Sequence, residues 1–128
     1  MANLDKKMLI CFMSVTSLLF SSCYFEQNNY HYPEYVYFPK EGGKMIIHGD
    51  KYYGHLYIEE DGDAVASTWG LEDGGTVSYQ WLTIIDVPDA KYFKIIVAPS
   101  DNKKKRKLKI IALFDPEYAE INVIQAGN

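Results

Sequence analysis

Only two cysteines occur in the 128 residues, Cys11 and Cys23, so no disulfide can form within residues 24–128. A domain built from that region is held by packing alone. Nucleophile motifs are missing as well. There is no Gly-x-Ser-x-Gly turn, no phosphate-binding glycine loop, and no cysteine beyond Cys23 to attack a substrate. Carboxylates such as Asp86 and Asp89 are present, but nothing in their spacing sets them across a cleft. On these absences no enzyme is expected. His31, His48 and His55 share no ligand spacing, and Glu59-Glu60-Asp61-Gly62-Asp63 lacks the spaced acids of a calcium loop. No metal and no cofactor is therefore expected. With 17 acidic and 13 basic residues the formal charge is −4, which argues against nucleic acid as a partner. The exception is Lys103-Lys104-Lys105-Arg106-Lys107, which reads as a solvated connection whose lysines discourage edge pairing. No apolar run approaches the ~20 residues of a spanning helix. The longest, from Met8 to Phe20, is broken by Ser14, Thr16 and Ser17.

That interrupted run has another use. Lys6-Lys7 precede it, and Ser21-Ser22 close it directly before Cys23, the layout of a secretory signal. Small residues ahead of a cysteine resemble a bacterial lipobox, although Phe20 stands where the pattern prefers leucine. The resemblance implies cleavage after residue 22, a diacylglycerol on the sulfur of Cys23, and a place in the cell envelope on the outer membrane. Either membrane face fits, since Glu26 is the one acid close behind Cys23. Residues 23–34 read as a lipid-anchored linker, with Tyr30 and Tyr32 able to fold back onto the domain.

Residues 35–128 alternate between strand-forming runs and turns. The expected strands are Tyr35–Phe38, Met45–His48, Tyr52–Glu59, Ala64–Trp69, Val77–Ile85, Tyr92–Ala98, Leu108–Phe114 and Ile121–Ile124. Asp61-Gly62 is a strong two-residue hairpin signal, because both positions need positive φ. No amphipathic helical period is present. The chain contains 11 Tyr, 6 Phe and 2 Trp, a supply of rings that suits strands more than helices. Seven or eight short strands at this spacing predict an all-β, immunoglobulin-like β-sandwich of antiparallel strands.

The second half carries a sharper pattern. Trp81-Leu82-Thr83-Ile84 is followed by the strand Phe93–Val97, then Asn102, Arg106, the strand Leu108–Ala112 and a closing Val123-Ile124-Gln125-Ala126-Gly127. This order resembles the BACON domain, a Bacteroidetes-associated, carbohydrate-binding and often N-terminal module. Val36-Tyr37-Phe38 with Gly42-Gly43 is similar to its opening strand and turn, whereas residues 50–75 match it poorly. The resemblance implies an immunoglobulin-like sandwich standing alone and binding glycan or mucin, with a spacer role as the alternative. Within the pattern, Leu82, Ile84, Ile95, Val97, Ile110, Ala112 and Val123 are expected to face inward. Arg106 is expected to pair with an acid or stack on a ring, and Gln125 to hydrogen-bond across the sheets.

Aromatic rings suit a sugar surface because they offer an apolar face and a polar tip. The candidate ligand-binding residues are Trp69, Tyr52, Tyr53 and Tyr57, in the segment that departs most from the family pattern. Tyr79 and Trp81 are weaker candidates, since a sandwich of this size needs one buried tryptophan and Trp81 fits that place. The function expected is a non-catalytic envelope lipoprotein that binds carbohydrate. The alternative is a structural spacer or a protein-interaction subunit of a surface complex. Partners are then a glycan or an envelope protein, with the membrane reached through the N-terminal lipid.

Overall fold

The computed structural model describes residues 26–69 and 75–127. The signal region and Cys23 lie outside the described residues, as do Glu72, Asp73 and Gly74 of the second acidic turn. The described chain is all β. Ten strands follow one another: β1 (Glu26–Gln27), β2 (Tyr35–Phe38), β3 (Gly43–His48), β4 (His55–Glu60), β5 (Asp63–Ser67), β6 (Thr76–Tyr79), β7 (Leu82–Ile85), β8 (Tyr92–Val97), β9 (Arg106–Leu113) and β10 (Glu117–Gln125).

They form two sheets that share one core in a sandwich-like arrangement. The first sheet runs β1-β10-β9-β4-β5, with β2 also on β10, and the second runs β3-β8-β7-β6. Period-two alternation sorts the side chains. From the first sheet, Val36, Phe38, Leu56, Ile58, Leu108, Ile110, Ala112, Ile121 and Val123 point into the core. They meet Ile47, Val77, Leu82, Ile84, Phe93, Ile95 and Val97 from the second. All seven residues expected to face inward are buried there.

Ten strands replace the seven or eight expected, for two local reasons. Val77–Ile85 is not one strand: Gln80 takes φ 53° and the chain reverses over Gln80-Trp81, pairing Tyr79 with Leu82. The added strand β1 comes from the stretch read as linker, where Gln27 pairs with Tyr118. The backbone N–H of Asn28 then donates to the Tyr118 carbonyl at 2.9 Å. Tyr30 and Tyr32 do fold back, Tyr30 packing edge-on to Phe114 and Tyr32 stacking on Phe93 and Phe114. Burial pushes the Tyr32 phenol up to about 12, with Asp50 adding to the shift. The pairing is also not wholly antiparallel. Both β1 and β2 run parallel to β10, because the N-terminal strands line the edge that the C-terminal strand leaves open. Asp61-Gly62 forms the expected hairpin turn, with φ 52° and 89°.

One polar bridge ties the sheets at the end of β10. Gln125, fully buried, donates through Nε2 to the Ala98 carbonyl at 2.8 Å, just past β8 in the other sheet. Its Oε1 accepts from Arg106 Nε at 2.8 Å. The Arg106 guanidinium in turn lies 4.8 Å from the Trp81 ring centroid, closing that end of the core.

Candidate functional site: an aromatic groove on the first sheet

Alternation along β4 and β9 puts His55, Tyr57, Ile111 and Leu113 on the outer face of the first sheet, while Leu56, Ile58, Ile110 and Ala112 face the core. Tyr57, Ile111 and Tyr118 form a small apolar cluster there, with Leu113 packed against it. Tyr57 is 9% exposed. Burial pushes its phenol well above the ordinary tyrosine value, reinforced by the charges of Glu59 and Glu120 and by Tyr118.

The chain leaving β5 continues alongside β4. The Thr68 backbone N–H donates to the Leu56 carbonyl at 2.9 Å, and the Thr68 hydroxyl accepts from the Leu56 N–H at 3.1 Å. These two bonds clamp residue 68 to β4 and deliver Trp69 onto His55. The indole and imidazole stack at 3.7 Å between centroids and 16° between planes. Trp69 is nevertheless 58% exposed, so one indole face rests on His55 while the rest meets solvent. Beside the stack lies a groove of about 590 Å³ lined by Gly54, His55, Tyr57, Trp69, Leu113, Phe114 and Asp115. Its walls are largely apolar, and His55, Tyr57 and Asp115 are the lining residues with polar side chains.

Of the four candidate residues, the groove gathers two, Trp69 and Tyr57. Tyr57 serves as a buried lining residue. Tyr52 is exposed but stands elsewhere, with Lys91 Nζ 5.0 Å from its ring centroid. Tyr53 is a structural residue. Its hydroxyl donates to Asp86 Oδ1 at 2.8 Å and accepts from the Val87 N–H at 3.3 Å, while its ring packs edge-on to Phe93. Burial, then the Asp86 hydrogen bond, raise its phenol above the ordinary range. Neither tyrosine lies within a strand, so their alternation carries no information about faces. Tyr79 donates to Glu60 Oε1 at 2.7 Å, and Trp81 is buried under Arg106. In the acidic hairpin, Glu59 is buried with Lys109 Nζ 3.9 Å away, and Glu60 holds Tyr79.

Sequence reasoning passed over His55, whose position two residues before Tyr57 on one strand face was the available signal. It also passed over Tyr35 and Tyr37, which β2 exposes as a pair stacked at 6.4 Å and 13°. Their alternation with buried Val36 and Phe38 is legible in the sequence.

No family model matches the chain, and no curated protein does. Among solved structures, the NMR structure of a protein from Bacteroides thetaiotaomicron superposes with a TM-score of 0.54 at 12% sequence identity. The match covers 79% of this chain and 82% of that one. At that identity it is a likeness of fold alone.

Proposed function

We propose that this chain is a non-catalytic, lipid-anchored module of the cell envelope that binds carbohydrate in the Trp69 groove. In this reading the domain is an immunoglobulin-like sandwich of the BACON kind, carried on the outer membrane by a diacylglyceryl group at Cys23. The observation that carries the proposal is the Trp69–His55 stack: a 58% exposed indole, held flat by an imidazole at 3.7 Å, beside an open groove. A pyranose presents an apolar face of C–H groups, which the free face of the indole accepts, while His55 and Asp115 supply hydrogen bonds to hydroxyl groups. Because Trp69 is already immobilised by His55 and by the Thr68 clamp, binding loses little side-chain entropy.

A second reading, a spacer or protein-interaction subunit, is favoured by the stacked Tyr35–Tyr37 pair exposed at the edge of the first sheet. A glycan array probed with the wild-type chain and with Trp69→Ala separates the two. Saturable binding to one glycan class, lost in Trp69→Ala, supports the groove. A blank array from a folded chain removes carbohydrate binding and leaves the interaction reading.

A further inference from the structure

The four strands of the second sheet contain no aspartate or glutamate, in a chain that has 17 such residues. Its outer face shows Lys44, Ile46 and His48 on β3, Tyr92, Lys94 and Ile96 on β8, and Thr83 and Ile85 on β7. The intervening residues Ile47, Phe93, Ile95 and Ile84 are buried in the core, which fixes this assignment. Ile46 is 53% exposed. With Lys44, Ile85, Lys94 and Ile96 it borders a shallow hollow of about 430 Å³. Neither lysine has an acidic partner among the described residues. Acids return in the flanking connections, at Glu41 and Asp50 before and after β3, at Asp86 and Asp89 between β7 and β8, and at Asp101 after β8, with Asp86 held by Tyr53.

Among the described residues the same strand is an open edge: β3 pairs with β8 on one side alone and keeps an unbroken register from Gly43–Val97 to His48–Tyr92. At 6 residues it is longer than the other edge strands, β1, β2, β5 and β6, with 2, 4, 5 and 4. The β5 edge is further disturbed by a register shift in its pairing with β4. A regular edge of this length leaves a row of backbone N–H and C=O groups for another strand to use.

We propose that β3 is a docking edge for an extended, acidic segment of a partner protein, which adds a strand to the second sheet. The partner's backbone pairs with β3, and the side chains on its outer face set carboxylates near Lys44 and Lys94. Charge selects this occupant over a second copy of the chain, whose own β3 carries Lys44 and no acid to set beside Lys44 and Lys94. The surface lies on the sheet opposite the Trp69 groove and does not depend on it.

The test is titration of the full chain with a soluble peptide alternating Glu and Val, followed by backbone amide shifts. A Lys–Val peptide and a backbone N-methylated Glu–Val peptide serve as controls. Saturable binding with shifts confined to β3 and β8, weakened about tenfold or more by the exposed substitution Lys94→Glu, is the expected result. Equal thermal unfolding of Lys94→Glu and wild type confirms that the variant is folded. The proposal is overturned if the Glu–Val peptide does not bind, if the Lys–Val or N-methylated peptide binds equally, or if the shifts fall on the first sheet. It is equally overturned by a dimer that forms through β3, or by binding to phosphatidylglycerol vesicles in place of the peptide.

Discussion

Replacing Gln125 with leucine removes the polar bridge between the sheets at nearly constant volume, and its cost can be worked out contact by contact. The wild-type side chain donates to the carbonyls of Ala98, Pro39 and Lys40 at 2.8, 3.2 and 3.3 Å and accepts from Arg106 Nε. Pro39 and Lys40 keep other donors, the N–H groups of Gly42 and Ser100 at 3.0 and 2.7 Å. Two groups are left short. The Ala98 carbonyl retains only a 3.5 Å approach from Arg106, and Arg106 Nε loses its acceptor inside a half-buried site. At about 1–3 kcal/mol for each of the two groups, Gln125→Leu should cost about 2–6 kcal/mol. For a domain of this size that lowers Tm by about 10 °C or more. Urea and thermal unfolding of the full chain measure it. The double variant Gln125→Leu/Arg106→Leu removes the orphaned cation and should recover part of the loss, giving a coupling energy of about 1 kcal/mol or more. A single-variant cost below about 1 kcal/mol, or strict additivity in the double, would refute the claim that this bridge joins the sheets.

Three other outcomes are expected. Gly42→Ala places a Cβ 2.2 Å from the Val97 carbonyl at φ +77°, so it should destabilise by about 2 kcal/mol or more, read from the urea midpoint. Tyr32, raised from 10.0 to about 12 by burial, is neutral in the fold, so the stability it contributes is complete below pH 10.0 and lost as pH climbs toward 12. Unfolding should therefore begin above pH 10, and the part of the tyrosinate absorbance that Tyr32→Phe removes should rise together with the loss of near-ultraviolet circular dichroism; Tyr32 ionising near pH 10 in a still-folded chain would contradict it. Trp69→Ala truncates a largely exposed ring and should change stability by no more than about 1 kcal/mol, so any glycan binding it abolishes is lost at the site and not through unfolding.

What the amino-acid order determined by itself is local. Alternation marked nearly every strand and sorted the inward residues from Leu82 to Val123 correctly, because a period of two is imposed by the extended backbone wherever one face is dry. Asp61-Gly62 announced its turn because few residue pairs accept two positive φ angles. Gln80 announced nothing, since its φ of 53° is enforced by the pairing of Tyr79 with Leu82, so one expected strand became two. Tertiary structure alone decided the rest. Trp69 meets His55 across the β4–β5 hairpin because the register shift between Ile58 and Glu59 carries Thr68 opposite Leu56, a shift that the Asp61-Gly62 turn by itself does not announce. Tyr53, by contrast, is drawn inward by Asp86 and Val87, over thirty residues away. The acid-free face with its open edge exists only because chain reversals set β3, β8, β7 and β6 side by side; their order along the chain does not place β3 next to β8. Extended backbone is specified residue by residue, but which strands become neighbours depends on long-range closure, where many weak contacts must agree at once.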